Sequence, residues 1–303
     1  MKNQPLLVNS KFIANTSITA TENKSLVGWL LYVCFAYYYK AIFCGLGGKI
    51  LGAEWICFTN IHGISTNHWF EQLIYAPLLW YALYRIITIV FGPNNNEVLG
   101  TNVKKLKTVA FFLLTMYIYG IGIHFANTIE IYSREQLGIT TGALYEQVYW
   151  VDEQFSHWVQ FTFFFLLFAW IIVFDRLDRV HAGNIAVLTG LLHGLERAIG
   201  VIEGDSPYIA LILGSFILIA CFFRFKRHNW EFKRVWKDFF FRHGFYFGIS
   251  MPLALYFYQL VFGGFVQPSS MGVEAWKVAV FAIITVFIIY WTAVFVDKFC
   301  IKK

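Results

Sequence analysis

The chain has 303 residues, of which 58% are hydrophobic, 20% aromatic and 14% charged, with a mean hydropathy of +0.57. A soluble domain carries about a quarter charged residues, so the composition excludes an ordinary water-soluble protein and points to the integral membrane class. The net charge of +6 and pI near 9.0 do not indicate a nucleic-acid partner, because the bases sit in short loops between apolar segments, where they set topology.

Residues 1–25 are polar, with Asn15, Thr16, Ser17, Thr19 and Thr21 typical. They contain no apolar stretch followed by a small-residue cleavage site, so they read as a cytoplasmic tail and not as a signal peptide. Residues 26–303 read as one transmembrane helical domain. A span needs about 20 apolar residues to cross roughly 30 Å of hydrocarbon. Eight stretches satisfy this: Leu26–Leu46, Phe70–Phe91, Val109–Ile131, Gln154–Phe174, Ile185–Ile202, Tyr208–Phe223, Phe245–Phe265 and Val278–Val296. The expected fold is therefore all-α, a polytopic bundle of about eight spans.

Charge provides an independent check on the count. With the N-terminus inside, the inner segments hold Lys2, Lys11, Lys24, Lys104, Lys105, Lys107, Arg176, Arg179, Lys298, Lys302 and Lys303. The outer loops hold only Lys49, Arg134 and Lys277. This asymmetry follows the positive-inside rule and places both termini in the cytoplasm, in what reads as a prokaryotic plasma membrane. The loop 224–242 mixes Lys226, Arg227, Lys233, Arg234 and Lys237 with Phe225, Trp230, Phe232, Trp236 and Phe239–Phe241. It is expected to lie on the inner leaflet as a topology anchor, with an anionic-lipid site as the sharper reading.

The most informative residues are polar ones inside spans, where charge is costly and usually functional. His124 and Glu130 fall in the outer part of span three. Asp152, Glu153 and His157 fall at the outer start of span four. His193, Glu196, Arg197 and Glu203 follow one another up span five. With a rise of 1.5 Å per residue, His124, His157 and Glu196 come within roughly 10 Å of one depth. Glu153 and His157 are four apart, and His193 and Glu196 three apart, so each pair shares a helix face. Asn127 lies one turn from His124. Gly190, Gly194, Gly200 and Gly204 allow close approach, which puts span five at the centre of the bundle. Arg197 has Glu196, Glu203, Asp152 or an anionic headgroup as prospective partners. Lys40, His62 and His68 are secondary candidates near the same end. His181, His228 and His243 are expected to be ordinary cytoplasmic-side residues.

Several familiar constellations are absent: HExxH, GxSxG, a Walker loop, GxGxxG in context, and the many-histidine pattern of membrane desaturases. Cys34, Cys44, Cys57, Cys221 and Cys300 show no CxxC spacing, so thiolate metal ligation is not expected. Cys44 and Cys57 could pair if both lie near the outer face.

The strings GIGIHFANTIE, YWVDEQFSH and LLHGLERAIGVIEGD resemble a motif set of prokaryotic multi-span proteins. His124, followed by Asp152–Glu153, is also similar to the His and later Asp-Glu of the alkaline ceramidase and progestin/adipoQ receptor superfamily of zinc membrane hydrolases. That resemblance implies about seven spans and a three-histidine zinc site near one membrane face, with a Ser and an Asp nearby. The chain departs from the family in its long gap from His124 to Asp152 and in lacking the closing HxxxH pair, for which His157 and His193 would have to substitute.

The functional expectation is a metal-dependent membrane hydrolase acting on a lipid or other apolar substrate from the outer leaflet. A divalent metal, zinc before iron, would be held by His124, His157 and His193, with Glu196, Glu203 and Glu130 as further ligand candidates. Glu153 or Asp152 would act as general base, and Arg197 would hold an anionic group or a developing oxyanion. The alternatives are a di-iron oxidase or desaturase, a proton- or cation-coupled transporter, and a structural subunit whose polar groups bind another chain or a pigment.

Overall fold

A computed structural model describes residues 22, 24–34, 36, 60, 61, 64–92, 102–175, 184–268, 271 and 276–301. Lys40, Cys44, Cys57, His62 and His181 fall outside them. The described chain is a helical bundle: α1 (Lys24–Cys34), α2 (His68–Val90), α3 (Val103–Arg134), α4 (Ala143–Phe174), α5 (Asn184–Glu203), α6 (Pro207–Arg227), α7 (Phe232–Val235), α8 (Phe239–Phe262) and α9 (Trp276–Ile301). A two-residue antiparallel ladder, β1 (Asn60–Ile61) with β2 (Ile64–Ser65), precedes α2.

Six helices, α2 to α6 and α8, are long and apolar enough to cross a membrane. This is an integral, multi-pass membrane protein. The expected first span is described only over its N-terminal half, as the shorter apolar helix α1, and the expected eighth lies within α9. Large side chains such as Leu73, Phe112, Ile212, Leu260, Ile283 and Phe287 stand exposed on the outer faces, as lipid contact requires.

The centre of the bundle is α5. Its apolar window is 83% buried, against 33–44% for the other five spanning helices. The reason lies in its small residues. A Cβ on Gly194 would lie 2.7 Å from the Phe247 carbonyl and 2.9 Å from the Met251 nitrogen, so only glycine lets α5 and α8 come this close. In hydrocarbon, such contact replaces the hydrophobic drive between helices with dispersion.

The segment 224–242 is not one continuous helix. α6 runs on to Arg227, a turn at His228–Trp230 reverses the chain, and α8 begins at Phe239, six residues before the expected start at Phe245. Arg224 and Asp238 close this hairpin, both buried. Arg224 donates from Nε to Asp238 Oδ1 at 2.5 Å and from Nη2 to Oδ2 at 2.6 Å. It also donates from Nη1 to the carbonyls of Ile172 at 2.7 Å and Asp175 at 3.1 Å, with Asp175 Oδ2 3.6 Å away. Asp238 is the N-cap of α8, accepting from Phe241 N at 2.8 Å. Burial pushes its carboxyl up, but Arg224, His228 and the Phe241 amide together hold it below the ordinary aspartate range. We call this end of the bundle the basic end.

Candidate functional site

At the opposite end, α2, α3, α4 and α5 enclose a cavity of about 600 Å³. Its lining is polar for a membrane protein. Glu71, Glu130, Glu153, Glu196 and Glu203 line it, with Arg134, Arg197, His68, His124 and His157 among them. Tyr75, Tyr117, Tyr149 and Phe161 supply aromatic wall.

Local irregularities in the helices aim these side chains. α3 breaks at His124–Phe125, between the helical stretches Val103–Ile123 and Ala126–Gln136, so His124 sits on a turn and not on a helix face. α4 contains a wide π-type stretch, Trp150–Ser156, after its first two turns, and α2 has another, Glu71–Tyr75. Such turns are frequent at functional sites because they rotate the side chains that follow. Here Glu71, Tyr75 and Glu153 line the cavity, and Asp152 is buried behind His124.

The core of the site is an imidazole pair with acids behind it. His124 Nδ1 lies 2.5 Å from Asp152 Oδ1, an ion-pair approach instead of an aligned hydrogen bond. Asp152 is fully buried, and its other oxygen accepts from Asn127 Nδ2 at 2.6 Å. His157 Nδ1 lies 2.7 Å from the Glu153 carbonyl, which can only accept, so this nitrogen carries the proton in the neutral ring. The Glu153 carboxylate stands 3.9 Å from the same nitrogen. The two imidazole centroids are 4.8 Å apart. Gly204 makes room for them, since a Cβ there would come within 2.7 Å of His157 Cγ.

The remaining expected site residues are placed as follows. Glu130 accepts from Arg134 Nη1 at 3.1 Å and from the Tyr145 hydroxyl, so it belongs to a rim ion pair. Glu196 takes both Nε and Nη2 of Arg197, which fixes Arg197's partner among those expected. The guanidinium also lies 4.1 Å over the Phe164 ring, packed on a π-face. Glu203 lines the cavity, and its backbone carbonyl accepts from Gln267 Nε2 at 2.9 Å. His68 does enter the lining.

His193 does not join the other two imidazoles. It is wholly buried below the cavity, with Nδ1 at 3.1 Å from His243 Nε2. The expected three-histidine zinc site is therefore not formed by these side chains. His193 and Glu196, the pair suggested for a di-iron site, face different partners, His243 and Arg197. Among the described residues, no three His, Cys, Asp or Glu side chains converge on one ion position. The sequence reading missed the link to His243, which it left on the cytoplasmic side as an ordinary histidine.

In comparisons with known proteins, no family model, no curated protein and no solved structure matches this chain.

Proposed function

We propose that the cavity is the active site of a membrane-embedded hydrolase acting on the ester or amide bond of an amphiphile from the outer leaflet. The observation that supports this most is the His124–Asp152 approach of 2.5 Å, with the His157 ring beside it in one polar cavity. A carboxylate behind an imidazole fixes its tautomer and stabilises the imidazolium, which is what a general base requires. With the Asp152 carboxylate beside its Nδ1, His124 takes a proton from water through Nε2. The water oxygen forms the new bond to the substrate carbonyl carbon. The departing oxygen or nitrogen then takes a proton from the His124 imidazolium, and the substrate bond to it breaks. His157 stands where it can relay that proton. The Arg197 guanidinium, at the cavity floor, is the donor closest in kind to an oxyanion partner.

No step is assigned to a metal, because the described residues supply two imidazoles and no converging third ligand. Eight spans with both termini inside remain our reading of the topology, supported by the distribution of bases. The decisive experiment is hydrolysis of a panel of fluorogenic glycerolipid and sphingolipid esters and amides by the purified protein, with elemental analysis of the same sample. Turnover abolished in His124→Gln and retained in His193→Gln supports the reading. A protein inert on the whole panel, or equal turnover in His124→Gln, removes it. Stoichiometric zinc or iron lost in His124→Gln replaces side-chain catalysis with metal-assisted hydrolysis.

A further inference from the structure

Below the cavity floor lies a second polar cluster that hydrolysis does not use. His193 Nδ1 meets His243 Nε2 at 3.1 Å, and His243 Nδ1 meets Thr189 Oγ1 at 2.9 Å. Thr189 Oγ1 in turn lies 2.9 Å from the Ile185 carbonyl. All three side chains are fully buried, and they link α5 to α8 in a single file.

The donors can be assigned by elimination. The Ile185 carbonyl only accepts, so it takes the one hydroxyl proton of Thr189. Thr189 Oγ1 then accepts from His243 Nδ1–H, which leaves His243 Nε2 as the acceptor for His193 Nδ1–H. Every proton points toward the basic end, and His193 Nε2 is left as a bare, buried nitrogen with no hydrogen-bond partner among the described residues. Buried polar atoms are nearly always satisfied, so an orphan at the head of an aligned file calls for an explanation.

Its position in the bundle supplies one. Glu196 and Arg197, which line the cavity, are three and four residues beyond His193 on α5, or about 4.5–6 Å of helix rise. In the other direction, Thr189 is five residues from Asn184, the first of α5, about 7.5 Å. The file therefore occupies the interval between the cavity and the basic end. Phenylalanine rings close its head. Phe164 meets His193 edge-on with centroids 6.0 Å apart while carrying Arg197 on its face, and Phe168 lies 4.8 Å from the same imidazole. Among the described residues, the titratable groups around the file include the Glu196–Arg197 pair above it, Tyr246 of α8 beside Gly190, and Cys34 of α1, whose Sγ lies 3.6 Å from the Thr189 carbonyl. α4 faces it with phenylalanines, and α8 with Phe239 and Phe247 beside His243.

We infer that His193, His243 and Thr189 form a proton-transfer path from the cavity to the basic end of the bundle, gated by Phe164 and Phe168. A proton from cavity water binds His193 Nε2. The Nδ1 proton of His193 passes to His243 Nε2, and the Nδ1 proton of His243 passes to Thr189 Oγ1. Thr189 releases its original hydroxyl proton to a water at the basic end. One proton enters and one leaves, and the file is then aligned the opposite way. Reorientation of the hydroxyl and the rings resets it. Imidazoles in file with a hydroxyl suit this task because each has one donor and one acceptor nitrogen. The inference does not rest on the hydrolytic reading. It makes the cavity a compartment in proton exchange with the other side of the membrane.

The test is proton entry into proteoliposomes that carry pyranine inside, driven by a potassium diffusion potential with valinomycin. The wild type should acidify the lumen faster than protein-free vesicles, and Phe168→Ala should be faster still. His243→Phe should fall to the protein-free rate. Thr189→Val, close in shape and therefore a check against misfolding, should fall likewise. Flux in His243→Phe or Thr189→Val equal to wild type overturns the path. So do wild-type and Phe168→Ala rates that both match protein-free vesicles.

Discussion

Replacing Asp238 with asparagine separates the two roles that this residue plays. Asparagine ranks with aspartate as an N-cap, so the bond from the Phe241 amide survives and α8 keeps its start. What is lost is the charge facing Arg224. The guanidinium is completely buried and makes two short bonds to this carboxylate. For charges about 4 Å apart at an effective dielectric near 20, the attraction is about 4 kcal/mol. Asp175 Oδ2, at 3.6 Å, retains part of it, whereas the new amide NH₂ turns a donor toward a group that has only donors. Breaking a buried pair on one side typically costs about 3–5 kcal/mol, and the remaining carboxylate puts Asp238→Asn at the lower end, about 3 kcal/mol. Asp238→Ala also removes the cap and should cost about 1 kcal/mol more. Equilibrium unfolding in mixed micelles with rising SDS, followed by tryptophan fluorescence, measures both. An Asp238→Asn cost below about 1 kcal/mol, or an alanine variant no worse than the asparagine one, would refute the buried clamp on the energetics just given.

Three further outcomes are expected. Because the folded Asp238 carboxyl sits below its unfolded value of about 3.9, its contribution is fully present above that pH and lost as pH falls toward the lower folded value. An acid unfolding series should therefore show a limb that Asp238→Asn flattens, and parallel limbs would contradict the pairing. Asp152→Asn removes the carboxylate beside His124 Nδ1. It should lower the Nδ1–H share of that ring in ¹⁵N-histidine spectra and reduce turnover by about 10²–10⁴, the usual worth of an oriented base. Gly194→Ala places a methyl 2.7 Å from the Phe247 carbonyl and should cost about 1–3 kcal/mol in the same SDS titration, against little for Gly122→Ala, where nothing lies within 4 Å.

The sequence made the depth of the site legible, but not the azimuth of every residue in it. The shared depth of His124, His157 and Glu196 follows from counting helix rise, and all three line the one cavity. The central place of α5 follows from its glycines, because only a helix pressed on several sides needs them. That same burial misdirects the reading of His193. Residues three apart on a helix differ by about 60° in direction, which on an exposed helix is one face. On a helix surrounded by neighbours it is the difference between the cavity, which Glu196 reaches, and α8, which His193 reaches. His243 was missed for another reason. With the loop drawn through residue 242, it had no helix to stand on. An aspartate ahead of an apolar run is an N-terminal signal, and Asp238 before Phe239 marked the earlier start. The π-type stretches at Glu71–Tyr75 and Trp150–Ser156 leave no mark in hydrophobic periodicity.

Glu196 and Arg197 are adjacent on one helix and grip each other in the cavity lining. A visitor of either sign therefore meets a floor already neutralised. A cation reaches Glu196 against a guanidinium already seated on it, whereas an anion can still take the N–H groups of Arg197 that Glu196 leaves over. The floor therefore favours a small developing negative charge over a full cation, just above the aromatic rings that cover His193.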